Sequence, residues 1–261
     1  MINTAIVGLG WWGKVIVKNL AKSNKINVVC GVDQDLSNLK QFGVDYNIQL
    51  SDSYTSVLSD PSIDSVILAT PNRLHHTHII AAAEAGKFIF CEKPLCLNAE
   101  NAEEAIRACR KNGIILGLGH ERRFEPAMKS LFDHVAQGDI GKVLHVETNF
   151  SHDLFDNLSE DNWRFNPKDA PGGGFTARGI HLTDFMVHMF GGAKRVYSTM
   201  SSIAYEKPRI DTMSANIEFI NGITGIVSVS IATPFYGRYT VFGDEGWIEA
   251  REINNFEHDD P

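Results

Sequence analysis

The 261 residues carry 24 Lys and Arg against 32 Asp and Glu, a formal charge of −8, with 43% hydrophobic and 21% charged residues. That composition belongs to a folded globular chain, and an acidic surface repels nucleic-acid phosphates and anionic lipid heads, so neither nucleic acid nor membrane is an expected partner. Cys30, Cys91, Cys96 and Cys109 form no C-x-x-C pair and no zinc spacing. With no basic-then-apolar leader and no window approaching ~18 apolar residues, they read as reduced thiols of a cytoplasmic protein.

Short apolar runs alternate with amphipathic stretches through the first part of the chain. Thr4–Val7 precedes Trp11–Ala21, Asn27–Val32 precedes Leu36–Phe42, and Ser65–Ala69 precedes Leu74–Ala85; Phe88–Cys91, Ala99–Lys111 and Ile114–Leu118 follow. This βαβ rhythm predicts an α/β fold with a Rossmann-type parallel sheet. After Gly119 and a helix over Pro126–Gln137 the rhythm changes to strand pairs, with Met213–Ile220 and Thr224–Ile231 joined at Asn221-Gly222. Two domains are expected, 1–119 and 120–261, the second α+β with a largely antiparallel sheet, packed closely with a cleft between them. Both strands of the hairpin read as apolar on both faces, which points to a self-association surface.

The first strand runs into Gly8-Leu9-Gly10-Trp11-Trp12-Gly13, a G-x-G-x-x-G in the strand-to-helix context that the motif requires. Gly8 permits the tight turn, Gly10 lets backbone approach a pyrophosphate, and Gly13 lets helix and strand pack, while the helix N-terminus offers N–H groups to phosphate. Asp33 ends the second strand about twenty residues further on, where a carboxylate accepts from ribose hydroxyls and repels a 2′-phosphate. NAD is therefore expected in preference to NADP. The alternative reading is a glycine turn that only packs, with Asp33 capping the next helix.

Three more segments stand in order: Thr70-Pro71-Asn72-Arg73-Leu74-His75, Glu92-Lys93-Pro94, and Gly179-Ile180-His181-Leu182-Thr183-Asp184. Together with the glycine loop they give a sequence that resembles the Gfo/Idh/MocA oxidoreductases, the glucose-fructose oxidoreductase and inositol dehydrogenase group, from Ile2 to about Glu249. The resemblance implies a sugar-like or polyol substrate and hydride transfer between nicotinamide and a carbinol carbon. It also implies Lys93 as general acid/base, a cis Lys93-Pro94 bond, and His181 as a catalytic residue that hydrogen-bonds substrate. It places Trp11, Trp12, Thr70, Pro71, Asn72, His75 and Glu92 at the cofactor, and Arg123, Trp163, Arg164 and Asp184 at the substrate. Arg123 and Arg164 equally suit structural ion pairs. His76 and His78 decorate the helix after His75, and no metal site is read.

The sequence departs from the pattern at Ala177, where many members carry an acid four residues before the histidine, so a literal Lys-Asp-His triad is missing. Relatives also continue well past the segment matched by Gly243–Gly246, so the final element of the second domain is expected to be shortened. A homodimer or homotetramer is expected. Two other functions stay open from sequence: a non-catalytic sensor of dinucleotide or sugar, and an NAD-dependent glycoside hydrolase.

Overall fold

The computed structural model describes residues 1–153, 158–160, 162–205 and 209–252. It divides into two compact units, Met1–Gly119 and His120–Pro261. The acidic tail after Glu252 lies outside the described residues.

Among the described residues the first unit holds β1 (Ile2–Val7), α1 (Trp11–Leu20), β2 (Ile26–Val32), α2 (Lys40–Asp45), β3 (Gln49–Ser51) and α3 (Tyr54–Ser59). It continues with β4 (Ser65–Leu68), α4 (His75–Glu84), β5 (Phe88–Glu92), α5 (Ala99–Lys111) and β6 (Leu116–Gly119). The strands form one parallel sheet in the order β3-β2-β1-β4-β5-β6. Strand order reverses between β1 and β4, the switch point at whose carboxyl edge ligands bind in such sheets. A parallel sheet needs cover on both faces, and the sequence supplies it: Ala5 and Val7 face one apolar cluster while Ile6 faces another with Leu9 and Val17.

Three elements depart from the sequence reading. The helix expected over Leu36–Phe42 begins only at Lys40, because Ser37 N–H bonds the Asp35 carboxylate (2.9 Å) and Leu39 N–H turns back to Leu36 O. Strand β3 and helix α3 were not expected: β3 is three residues long, too short for period-2 alternation to register. Ser53 caps α3, its hydroxyl accepting from Ser56 N–H at 3.2 Å.

The second unit contains α6 (Pro126–Gln137), β7 (Val143–Ser151), α7 (Ile180–Phe190), β8 (Ala193–Ser201), β9 (Thr212–Phe219), β10 (Thr224–Ser230), β11 (Tyr236–Gly243) and β12 (Trp247–Glu252). Its mixed sheet runs β12-β11-β7-β10-β9-β8, parallel at β7–β10 and antiparallel elsewhere. The hairpin turns at Asn221-Gly222 as expected, with Gly222 at φ 88° and Thr224 opposite Glu218. One face carries Val146, Phe150, Ala215, Ile217, Phe219, Val227, Val229, Tyr239 and Val241 against Leu182, Phe185 and Met186 of α7.

The expectation that both hairpin faces are apolar is corrected. Opposite the core, β9 and β10 present Ser214, Asn216, Glu218, Thr224 and Ser228 with Ile226 as an apolar exception, and the neighbouring strands add ion pairs such as Arg238–Glu147 at 2.8 Å. Exposed apolar side chains gather instead on edge strand β8, at Val196, Tyr197 and Met200, and at Trp247 of β12.

Candidate active site

Three loops leave the carboxyl ends of the adjacent strands β1, β4 and β5, and they carry the sequence-predicted residues of the first unit. After β1, Gly8 adopts φ 96°, and a Cβ there would stand 2.6 Å from Ala69 O. A Cβ on Gly13 would meet Gly8 O at 1.9 Å, so this glycine sets how closely α1 approaches its strand. Gly10 differs from both, because a Cβ there has nothing within 4 Å. The first turn of α1 bears no acid and no side-chain cap, so its N–H groups are aimed at an anion with no internal competitor. Trp11 is exposed, Trp12 packs against it (centroids 5.4 Å), and Trp12 Nε1 is buried with no partner among the described residues. An open approach at Gly10, an uncapped helix start and an orphaned donor together fit a dinucleotide phosphate cradle.

Asp33 lies half-buried beyond β2, and its Oδ2 accepts from Leu9 N–H at 2.7 Å. This carboxylate therefore fastens the glycine loop. Its other oxygen accepts from Asp35 N–H at 3.3 Å in a local turn, and Asp33 caps no helix, since α2 begins at Lys40 with Leu39 at its N-cap.

After β4, Pro71 leads into the turn Asn72–Leu74, with Leu74 N–H bonded to Pro71 O and Asn72 buried. His75 is 1% exposed, with Nδ1 2.7 Å from Pro94 O and Nε2 2.9 Å from Thr70 O. The side chain lies between two loops, the neutral imidazole donating its one N–H to one of these carbonyls while its other nitrogen faces the second. Burial pushes its pKa down, against the pull of the two carbonyls. His78, one turn on, is buried against Tyr54 and driven down to about 4, whereas His76 pairs at the surface with Glu104 at 3.0 Å.

After β5, the Lys93-Pro94 bond is cis, as the resemblance implied. Glu92 is buried, and its Oε2 accepts from Lys93 N–H at 3.3 Å. Gly119, on neighbouring β6, gives that carboxylate room: a Cβ there would meet Glu92 Oε1 at 2.8 Å.

In the second unit Arg123 forms a bidentate pair with Asp184, Nε to Oδ2 at 2.6 Å and the second nitrogen to Oδ1 at 2.5 Å. The two residues expected at the substrate are thus brought together on each other, which favours the structural ion-pair alternative for Arg123. Arg122 bonds Glu252 at 2.5 Å and lies over the Phe150 ring at 4.1 Å. Trp163 and Arg164 sit in the turn Trp163–Phe165 with the guanidinium 4.3 Å above the indole, and burial lowers the Arg164 pKa.

His181 is 3% exposed on the first turn of α7, preceded by a π-helical turn over Phe175–Gly179 that includes Ala177. His120 stands 3.5 Å from Asp184 and edge-on to the His181 ring, while Glu121 faces His181. His120, Glu121 and the buried His152 and Arg178 escaped the sequence reading. Only His120-Glu121-Arg122-Arg123, four consecutive polar residues right after a strand, could have flagged the first two.

Among the described residues no helix is long and apolar enough to cross a membrane. Residues 2–120 match the model of an oxidoreductase family with an NAD-binding Rossmann fold, and 128–249 match a GFO/IDH/MocA C-terminal domain. The NAD-linked scyllo-inositol 2-dehydrogenase of Bacillus subtilis is 33% identical, aligned over 95% of this chain and 73% of its own length. YrbE, an uncharacterized oxidoreductase of the same organism, is 30% identical over 94% of this chain and 72% of its own. A solved structure from Desulfitobacterium hafniense, designated an NADPH-dependent oxidoreductase, superposes with a TM-score of 0.91 at 26% identity, covering 97% of this chain and 73% of that one.

Proposed function

The chain belongs to the Gfo/Idh/MocA oxidoreductases, with an NAD-binding Rossmann domain, and from that premise we propose that it oxidises or reduces a carbinol carbon of a sugar-like or polyol substrate, with Lys93 as general acid/base. The observation that carries this reading is the build of the Lys93 loop. Its backbone is fixed on one side by buried Glu92 and on the other by the Pro94 carbonyl's contact with His75, two strands from the glycine loop along one sheet edge. A loop fastened on both sides presents its side chain in one place, which acid–base chemistry requires.

In the oxidative direction the Lys93 amine would take the substrate hydroxyl proton as hydride, hydrogen with the C–H electron pair, leaves the carbinol carbon. Bound NAD supplies the acceptor for that pair. His181 hydrogen-bonds the substrate hydroxyl, and Asp33 selects NAD over NADP by facing the 2′ position with a negative charge. The polyol class is supported by the scyllo-inositol dehydrogenase relative. Buried thiols at Cys30, Cys91 and Cys109, with pKa values raised by burial, suit a reducing cytoplasm. The exposed apolar side chains of β8 suit a homo-oligomer.

The test is NADH absorbance with the purified protein and a panel of polyols, aldoses and keto-sugars, scyllo-inositol included. Stoichiometric NADH formation with at least one polyol or sugar is expected. Cofactor binding with no turnover across the panel would favour a sensor, and glycoside cleavage without net NADH would favour a hydrolase.

A further inference from the structure

The short turn Glu121–Phe124 has three residues per turn, so successive side chains leave it roughly 120° apart. Arg123 goes to Asp184, Arg122 goes to Glu252, and Glu121 goes to His181, with Oε1 3.9 Å from Nε2. The His181 side chain is 2% exposed and that of Glu121 is 39% exposed, with Glu121 Oε2 itself buried. Around His181 stand the Phe150 ring at 6.4 Å and the His120 ring at 6.1 Å, both edge-on. Such walls disfavour the charged imidazolium, and a carboxylate at ion-pair distance restores it. The residue one turn earlier on the chain is Ala177, and Asp184, one turn later, is held by the Arg123 fork and by His120 at 3.5 Å.

We propose that Glu121 is a positioning residue for His181, holding its Nε2 edge and keeping the ring able to carry a proton. This deepens the reading of His181 as a substrate-facing group and rests on it for its functional meaning. The charged and titratable groups nearby are His120 and Arg122 on the segment bearing Glu121, His152 on the strand segment of Phe150, and Arg178 and Asp184 flanking His181 in sequence. Glu121 contributes a negative charge at ion-pair distance from His181 Nε2.

Histidine titration by NMR on ring-labelled full-length protein tests this, with the His181 resonance assigned from a His181→Gln variant. In Glu121→Gln the His181 midpoint should fall by about one pH unit or more, the range for losing an opposite charge at this distance, while Glu121→Asp recovers part of the shift. NADH affinity, read by tryptophan quenching, should match wild type in both variants. His181 curves that superimpose in all three proteins overturn the proposal. The titration needs no substrate, so a failed Lys93 mechanism leaves it readable, and a failed Glu121 pairing leaves the Lys93 mechanism standing.

Discussion

One buried imidazole ties the two loops on which the proposed chemistry depends, for His75 stands 2.7 Å from the Pro94 carbonyl and 2.9 Å from that of Thr70. Replacing it with Leu keeps volume but removes the one N–H that a neutral imidazole donates to these carbonyls, at a cost of about 1–3 kcal/mol for the buried group left unsatisfied. The His75→Leu protein should therefore unfold at lower urea and lose turnover more than cofactor affinity, because the loosened segment carries Lys93. An unchanged urea midpoint would show that the bridge holds nothing.

Acid should weaken the first unit through the same helix. Burial holds His75 below its ordinary pKa and drives His78 down to about 4. A histidine whose folded pKa is depressed binds more protons unfolded than folded, so its contribution is complete above ~6.5 and lost as pH falls toward the folded value. Thermal melting followed from pH 7 to 4.5 should thus drop progressively below pH 6.5. His78→Gln should melt less steeply with pH across that window; identical slopes would remove His78 from the account.

The two neighbouring glycines should fail in different ways. Gly13→Ala sets a methyl 1.9 Å from a backbone oxygen, which cannot be relieved by a rotamer change, so both folding stability and NADH binding should suffer. Gly10→Ala meets nothing within 4 Å, so melting should hardly move while NADH affinity falls by about tenfold or more as the methyl enters the phosphate approach. Calorimetry on both variants separates the two, and an intact NADH affinity in Gly10→Ala would mean that phosphate does not come that way.

How much of this was legible beforehand follows from the range of each interaction. The glycine loop, Asp33 and the Lys93 loop were readable because local sequence makes them: a turn needing positive φ, a strand end, a proline. The His75 bridge was not, since its partners are a carbonyl 5 residues away and another 19 away, and backbone acceptors have no sequence signature. Arg123 with Asp184, 61 residues apart, and Glu121 with His181 join parts of the second unit that only tertiary packing brings together. The outer face of the hairpin is mostly polar, with Ile226 opposite Asn216 as its apolar exception, and only the register between strands shows which side each residue takes.

Asp33 should matter twice. Its carboxylate faces the ribose position in the NAD reading and also accepts from Leu9 N–H at 2.7 Å. Asp33→Ser should narrow the preference for NAD over NADP and, by slackening the glycine loop, lower the affinity for NAD itself. Calorimetric titration with both cofactors reads the two effects together. Equal affinities already in the wild type would dismiss Asp33 as the selector.

Lys93 offers the sharpest division between binding and chemistry. Its backbone N–H bonds Glu92 and the next carbonyl meets His75, so the loop's shape depends on main chain and neighbours more than on the amine. Lys93→Met keeps much of the aliphatic stem and removes only the proton carrier, and NADH binding should stay within about twofold. Turnover should fall by about two to four orders of magnitude, the usual loss for a positioned general acid–base. His181→Ala then reads the relay: a comparable loss makes His181 part of the proton path, and a smaller one makes it an orienting group. If Lys93→Met binds NADH and turns over its substrate near the wild-type rate, the proton leaves by another group and the assignment of Lys93 must be given up.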